Sequence, residues 1–247
     1  MIGIIGAMQI EIDSIVKLLT NTKCESFSHI NFFSGKINDI DCVIALCGPG
    51  KVNAAICVQL MITKYNPKAI INTGVAGALE KNIKIGDIVL ADSVVQHDMD
   101  TSAVGDARGF ISGINLVKIP CTKSINEKIK SAAAQLNENL HSGIIATGDQ
   151  FISDKEKLSD IKSTFKAIAC EMEAGSIGHV CLVNNVKFAA LKVISDNADD
   201  NSSIDYEKFK IVVAEKTTKL IETAIANFWK FCQNKSNCVC FYILSSF

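Results

Sequence analysis

The 247-residue sequence contains little arginine, proline or tryptophan, and it lacks both a long apolar run and an excess of charge. Arg108 is its only arginine, so a site that needs a bidentate guanidinium has one candidate. No apolar stretch reaches the roughly 20 residues that a membrane-spanning helix requires. The 25 basic and 26 acidic residues nearly cancel, which leaves no positive surface for nucleic acid or an anionic membrane. We therefore expect neither a nucleic-acid-binding protein nor a membrane protein.

Cysteine is abundant, and most of the ten cysteines lie inside apolar runs. Free cysteine behaves as a small buried hydrophobic residue, and this usage is typical of a reducing compartment. Cys238 and Cys240 form a C-x-C motif, but without a second pair or a nearby histidine it is weak evidence for a metal site. The first apolar run has no basic region before it, so we expect no secretory signal peptide. These features predict a cytoplasmic protein and give no strong signal for a metal site.

Strand patterns that are apolar throughout alternate with helix patterns along the chain, and the strands are predicted at 2–5, 69–72, 85–95, 143–147 and 188–194. Such strands are typical of a sheet that helices cover on both faces. The apolar content of 48% is enough for one large core. We therefore predict an α/β fold, namely a single-domain three-layer α/β sandwich with a central, mostly parallel mixed sheet.

Three connections carry distinct local signals. Residues 27–34 and 40–47 have the pattern of two strands, and Asn38-Asp39 between them predicts a hairpin turn. Residues 73–77 contain two glycines after a strand, which predicts a turn where the backbone approaches a ligand. Residues 102–120 show no clear period, and we predict a long loop there.

Carboxylates follow the ends of several predicted strands. Glu11 lies in the first turn of the helix after strand one, and Asp196 follows the strand at 188–194. Glu171 ends another short strand, and Glu173 lies where the next helix begins, so that unpaired N–H groups favour its ionised form. Ligands of such sheets bind at the carboxyl ends of the strands. The sequence therefore predicts a site at this edge of the sheet.

Eight motifs in order carry a resemblance to a known family. They are G-I-I-G-A-M-x-x-E at 3–11, G-x-G-K-V-N-A-A at 48–55, N-T-G-V-A-G at 72–77, G-D-I-V at 86–89, H-D-M-D at 97–100, T-G-D-x-F-I at 147–152, E-M-E-A at 171–174 and I-S-D-x-A-D at 194–199. Together they resemble the 5′-methylthioadenosine/S-adenosylhomocysteine nucleosidases of the purine nucleoside phosphorylase-like superfamily. The resemblance covers residues 1–231 as one nucleoside phosphorylase-like domain and leaves 232–247 as a C-terminal tail outside the family pattern.

The resemblance implies an enzyme that hydrolyses the N-glycosidic bond between adenine and a 5′-thio-substituted ribose. According to this resemblance, Glu11 would orient and deprotonate the attacking water. Asp196, held by Ser195, would donate a proton to adenine N7. It also implies a homodimer in which the loop at 102–120 reaches the pocket of the neighbouring subunit. No cofactor is implied.

The same resemblance implies a set of substrate-binding residues. Glu173 and Met172 would hold the ribose, Phe151 would stack on adenine, and Ile152 would read the adenine edge through its backbone. The remaining members of the implied set line the water, ribose and 5′ sides of the pocket: Met8, Val75, Ala76, Gly77, Glu171 and Tyr206.

The residue types suit this chemistry. Adenine is a poor leaving group until it is protonated, so an acid must reach a ring nitrogen. The ribosyl carbon becomes positive as the bond breaks, and a carboxylate such as Glu173 stabilises that charge. Water then needs a base on the opposite face, which is the division of labour of an inverting glycosidase.

The sequence departs from the family pattern at four pocket positions, namely Pro49, Val75, Val104 and Tyr206. These departures leave the reaction unchanged and bear on the preference for the 5′ substituent. Three alternatives stay open: a nucleoside phosphorylase that attacks with phosphate, a futalosine-type nucleosidase, and a non-catalytic nucleoside-binding protein. Phosphate sites recruit arginine or several helix N-terminal donors, whereas the first loop here offers only Glu11, which argues against the phosphorylase. A non-catalytic relative would have no need to keep Glu11, Glu173 and Asp196 together.

Overall fold

The computed structural model describes residues 1–197 and 213–228; Tyr206 and the tail at 232–247 lie outside the described residues. The ten strands in this part of the chain are β1 (Ile2–Gly6), β2 (Thr20–Phe27), β3 (Ile30–Ile37), β4 (Ile40–Leu46), β5 (Ala69–Ala78), β6 (Ile88–Gln96), β7 (Ile119–Pro120), β8 (Leu140–Thr147), β9 (Ala167–Glu171) and β10 (Lys187–Asp196). The helices are α1 (Gln9–Val16), α2 (Lys51–Tyr65), α3 (Lys123–Gln135), α4 (Lys155–Phe165) and α5 (Ala174–Val183), a 3-10 turn lies at Ser102–Val104, and residues 213–228 are helical.

Helices cover both faces of the sheet, as predicted. Successive strand residues point to opposite faces, and neighbouring residues of β1 and β5 enter two different cores. Ile5 and Ile70 pack in the core that α2 and α5 cover. Ile4 and Ile71 pack in the core that α1, α3 and the helix at 213–228 cover. Burying each of these isoleucines contributes about 2 kcal/mol, so the continuous apolar strands follow from the two covered faces.

All the strands belong to one mixed sheet in the order β10-β6-β8-β9-β5-β1-β4-β3-β2, with β7 paired to β6. Parallel pairs such as β1–β5 and β6–β8 alternate with antiparallel pairs such as β5–β9 and β6–β10. The prediction of a mixed sheet is confirmed. The prediction of a mostly parallel sheet is wrong, because half of the pairings between the described strands are antiparallel. Hairpins join β2, β3 and β4, β9 and β10 each have one antiparallel neighbour, and β7 pairs antiparallel with β6.

The sheet does not form the flat central layer of the predicted sandwich. Strand β10 pairs with β5 as well as with β6, so β5, β10, β6, β8 and β9 form a closed, barrel-like circuit. Register shifts interrupt β6–β8, β8–β9 and β5–β10. A β-bulge bends its strand and increases the local twist, which lets a sheet curve into closure.

Two local predictions need correction, and two are confirmed. The residues 73–77 form no turn but continue β5 along β10, with Gly74 at a φ of 144°; the glycines mark a bend inside a strand. The strand predicted at 27–34 is split by a turn at Ser28-His29 into β2 and β3.

The hairpin turn at Asn38-Asp39 is confirmed, with both φ values positive. The loop at 102–120 is irregular except for the 3-10 turn, an isolated bridge and β7.

Within residues 1–197 and 213–228, no helix is both long enough and apolar enough to cross a bilayer.

Candidate active site

The predicted site residues that the structure describes line one pocket of about 230 Å³. It opens where β1, β5, β8, β9 and β10 reach their carboxyl ends. The predicted residues among its lining are Met8, Glu11, Val75, Ala76, Gly77, Phe151, Ile152, Glu171, Met172, Glu173, Ser195 and Asp196. Residues up to 188 positions apart in the chain therefore share one pocket, because parallel strands bring their carboxyl ends to the same edge.

Glu11 is buried and held by three main-chain donors. Its Oε2 accepts hydrogen bonds from the N–H groups of Ala7 at 2.8 Å and Met8 at 3.0 Å, and its Oε1 accepts one from Val75 at 3.1 Å. Burial raises the pKa of Glu11 above its ordinary value, and the positive charge of Lys192 and these hydrogen bonds only partly oppose the rise. A carboxylate with a raised pKa is a stronger base, so Glu11 can accept a proton inside the pocket.

Gly74 makes room for the Glu11 carboxylate. A Cβ atom at this position would lie 2.5 Å from Glu11 Oε1, and the φ of 144° is one that other residues rarely adopt. The glycine therefore permits both the bend in β5 and the close approach of the carboxylate.

The Glu171 carboxylate makes its hydrogen bonds and its ion pair with groups of the protein itself. Its carboxylate accepts hydrogen bonds from the Thr147 hydroxyl and from the N–H groups of Glu173 at 3.1 Å and Ala174 at 2.9 Å. Its Oε2 also lies 2.7 Å from Lys192 Nζ. Both oxygens thus have partners, so Glu171 fixes the start of α5 and the position of Lys192.

Lys192 is a buried charged residue beside the site that the sequence analysis did not select. It lies on β10 with only 1% of its side chain exposed, and its Nζ lies 2.7 Å from Glu171 Oε2 and 3.7 Å from Glu173 Oε2. Burial by itself lowers the pKa of a lysine, but Glu171, Glu173 and Glu11 outweigh burial and raise it. These carboxyl groups therefore favour the protonated, positively charged form of Lys192. A lysine inside the apolar run at 188–194 is the signal that could have revealed it.

Glu173 occupies the N-cap position of α5, as the sequence predicts, but its side chain makes no capping hydrogen bond. The expectation that the helix N–H groups favour its ionised form is therefore wrong. Its Oε1 accepts a hydrogen bond from the N–H of Gly50 at 3.1 Å. Burial raises the pKa of Glu173 to about 7, against the positive charge of Lys192 and together with the negative charge of Glu171. Near neutral pH this carboxyl group can therefore exist in either protonation state.

Ser195 and Asp196 end β10, and both are buried. The Ser195 hydroxyl donates a hydrogen bond to Asp196 Oδ2 at 2.8 Å. The register of β10 against β5 shifts between Ile194 and Asp196. Such a bulge re-aims side chains, and here two successive residues, Ser195 and Asp196, both line the pocket.

One wall of the pocket is apolar and open to solvent. Phe151 is 53% exposed and Ile152 is buried beneath it, and Gln150 adds an amide that the sequence analysis did not select. An exposed aromatic ring beside a pocket offers a stacking surface for a planar heterocycle. None of the described residues that line the pocket is basic.

Comparisons with known proteins agree with this geometry. The family described as the phosphorylase superfamily matches residues 1–226. The 5′-methylthioadenosine/S-adenosylhomocysteine nucleosidase of Staphylococcus aureus is 37% identical over 227 residues, which cover 92% of this chain and 99% of that protein.

Two solved structures illustrate the similarity of fold. The corresponding nucleosidase of Neisseria meningitidis in complex with methylthio-immucillin-A has a TM-score of 0.88 and 30% identity, covering 91% of this chain and 97% of that chain. A futalosine hydrolase of Helicobacter pylori has a TM-score of 0.88 and 33% identity with the same coverage. By sequence, fold and pocket, this chain belongs to the 5′-methylthioadenosine/S-adenosylhomocysteine nucleosidase family of the phosphorylase superfamily.

Proposed function

We propose that this protein hydrolyses the N-glycosidic bond of 5′-methylthioadenosine and S-adenosylhomocysteine, releasing adenine and the 5′-thioribose. The supporting observation is Glu11, a buried carboxylate that three main-chain N–H groups hold at a pocket whose described lining contains no basic residue. The products would enter methionine salvage and the recycling of S-adenosylmethionine by-products.

Glu11 is the general base of the proposed reaction. It accepts one proton from a water molecule while the oxygen of that water bonds to the anomeric carbon of ribose. Its raised pKa suits this proton transfer. Its three fixed hydrogen bonds remove the need to reorient the carboxylate during the reaction.

Asp196 is the general acid. As the bond between the anomeric carbon and adenine N9 breaks, its electron pair moves into the purine ring, and Asp196 gives its proton to N7. Ser195 holds the Oδ2 oxygen at 2.8 Å and thereby fixes the orientation of the carboxyl group. Adenine then leaves as a neutral molecule rather than an anion.

Glu173 stabilises the positive charge that develops on the ribose. In its ionised form it lies at the ribose side of the pocket between Lys192 and the N–H of Gly50. Met172 and the strand residues Val75, Ala76 and Gly77 form the neighbouring wall, with Met8 beside Glu11. Phe151 and Ile152 take the adenine, and Tyr206, which we propose at the 5′ end, lies outside the described residues.

The phosphate requirement separates this proposal from a nucleoside phosphorylase. We expect the enzyme to release adenine from methylthioadenosine at the same rate with and without phosphate, with free methylthioribose as the co-product. Glu11 would repel phosphate, and Lys192 is already paired with two carboxylates. Formation of the sugar 1-phosphate, or a rate that depends on phosphate, would establish the phosphorylase instead.

A futalosine-type nucleosidase is the second candidate, because the similar Helicobacter pylori structure is a futalosine hydrolase. The two reactions differ only in the 5′ substituent, which the bond-breaking residues do not contact. Competing the two nucleosides in one assay measures the preference directly.

We further propose that residues 1–231 form the catalytic domain, that 232–247 is an additional tail, and that the enzyme works as a cytoplasmic homodimer. The seven described cysteines are free, which suits a reducing compartment. Exposed apolar side chains on the packed helices α2 and α5, such as Val52 and Val183, suit a subunit contact.

A further inference from the structure

Two loops lie at the pocket where the two ends of the proposed nucleoside would bind. The base segment, residues 150–152, follows β8 and carries Phe151. The ribose segment, residues 49–51, joins β4 to α2 and donates the Gly50 N–H to Glu173 at 3.1 Å. A second cavity of about 310 Å³ is also lined by Gln150 and Ile152. Ile152 anchors the base segment in a buried cluster, but open space lies on two sides of the segment, so hydrogen bonds at the preceding residue contribute to its position.

Asp98 joins the two segments through a ring of three hydrogen bonds. Its Oδ1 accepts from Lys51 Nζ at 2.7 Å, and its Oδ2 accepts from the N–H of Asp149 at 2.9 Å. The Lys51 N–H closes the ring by donating to Asp149 Oδ1 at 2.7 Å. One carboxylate thus contacts both the ribose segment and the residue that precedes the base segment.

The ring is anchored to β8 on one side and to α5 on the other. Asp98 follows His97, whose N–H donates to the carbonyl of Thr147 at 2.9 Å, next to the end of β8. Ser176 of α5 donates its hydroxyl to the carbonyl of Lys51 at 2.7 Å. Gly50 has a φ of 97°, and a Cβ atom there would lie 3.1 Å from Asp149 Oδ1, so the two segments approach each other closely.

Asp98 acts in this ring as a carboxylate. Burial tends to raise the pKa of Asp98, but the hydrogen bonds from Lys51 and from the Asp149 N–H outweigh burial and lower it. The side chains of Asp98 and Lys51 are 21% and 20% exposed, so water screens their attraction only in part. An asparagine could accept one of the two hydrogen bonds but not both.

We propose that Asp98 is a positioning residue that fixes the separation between the base segment and the ribose segment. The proposal rests on the nucleosidase function proposed above. A nucleoside bridges both segments, so its binding requires the correct separation. Of the two segments, free adenine contacts only the base segment, so its binding does not require the correct separation. Asp98 therefore contributes to affinity for the complete nucleoside and far less to affinity for the free base.

The test compares Asp98→Asn with Asp92→Asn, which removes another aspartate–lysine pair, Asp92–Lys130 at 3.9 Å, whose residues do not line either cavity. Titration calorimetry measures the dissociation constants of adenine and of a C-nucleoside analogue that cannot be hydrolysed. For Asp98→Asn we expect about a tenfold loss of affinity for the analogue and less than about a twofold loss for adenine. Asp92→Asn should change neither.

A second variant, Lys51→Met, removes the other charge and keeps the main-chain N–H that bonds to Asp149. If the ring acts as a unit, the double variant loses no more analogue affinity than the more affected single variant. Additive losses, equal losses for adenine and analogue, or an unchanged analogue affinity would each overturn the proposal. A wild-type protein that releases no adenine from methylthioadenosine would instead refute the nucleosidase function.

Discussion

At the scale of single residues, the site is a balance of buried charges. Lys192 lies against Glu171 and Glu173, and its positive charge also acts on a third carboxyl group, that of Glu11. Four ionised groups in such a space would leave a net negative charge. Burial raises the pKa values of Glu11 and Glu173 and so favours their protonated forms, which reduces this negative charge. A ligand that becomes positive during its reaction would stabilise the ionised forms of these carboxyl groups.

The first prediction concerns Asp196→Asn. Asparagine keeps the size and hydrogen bonding of the side chain but cannot deliver a proton. We expect normal folding, retained nucleoside binding and a turnover of methylthioadenosine reduced by at least about 100-fold, the contribution typical of one general acid. A nitrophenyl riboside, whose leaving group needs no protonation, should lose much less. Equal losses on both substrates in a steady-state assay would contradict the general-acid role.

The second prediction concerns the pH dependence of stability. The pKa of Glu173 is about 7 in the folded protein, above the ordinary 4.5, so the folded state binds more protons than the unfolded state between these values. The stabilisation is complete below about pH 4.5 and is lost as the pH rises through about 7. Glu173→Gln should remove about 3 kcal/mol of this pH dependence.

Chemical denaturation at a series of pH values measures this effect. The slope that remains in Glu173→Gln combines Glu11, whose pKa is shifted in the same direction, with groups such as His97, whose pKa is lowered by burial. An unchanged slope in Glu173→Gln would show that Glu173 titrates alike in the folded and unfolded states.

At the scale of elements, β5 is the strand that assembles the site. Residues 69–72 of β5 pair with β1, which leads into the loop before Glu11, and residues 77–78 pair with β9. On its other side β5 pairs with β10 along residues 69–77. The bend at Gly74 lies between the β1 and β9 regions. One strand thereby sets the distance between the proposed base, which follows β1, and the proposed acid, which ends β10.

The third prediction follows from that bend. Gly74→Ala would place a Cβ atom 2.5 Å from Glu11 Oε1 at a φ of 144°. We expect a loss of about 1–3 kcal/mol of stability, and at least a 100-fold loss of turnover (~3 kcal/mol) because Glu11 must move. Gly113→Ala is the matched control, since no atom lies within 4 Å of its Cβ position. Near-normal turnover in Gly74→Ala would show that Glu11 needs no fixed position.

At the scale of the whole molecule, exposed apolar side chains mark one side of the sheet. Val52 and Ile56 lie on α2 and Val183 lies on α5, and these helices pack together over the same core. Val104 in the loop at 102–120 is also exposed. Clustered apolar exposure on a soluble protein is typical of an interface with another subunit.

The fourth prediction is therefore a homodimer that Val52→Lys weakens. Val52 is 69% exposed in the single subunit, and burying a lysine charge in its place is unfavourable. Sedimentation at micromolar concentration should show a dimer for the wild type and a shift toward monomer for the variant. Ala134→Lys, at an exposed position of α3 on the opposite face, is the control. A wild-type monomer with full activity would count decisively against the dimer.

Much of the site could be predicted from sequence because its signals are local. Glu11, Glu173 and Asp196 each follow an apolar strand, and a strand end fixes where the next side chain emerges. The alternation of strands and helices likewise predicted the α/β class and the helices on both faces. These features depend on neighbours within a few residues, so the order of residues alone carries them.

Only the tertiary structure decided which groups face one another. Lys192 pairs with Glu171 from a different strand, Glu11 binds the N–H of Val75, and Asp98 joins two loops. The closure of the sheet likewise depends on bulges whose effect adds up over five strands. The four side-chain contacts named above join residues 21 to 64 positions apart. Their energies depend on burial and distance, which no local pattern specifies, and so the charge balance of the site emerges only when the sheet closes.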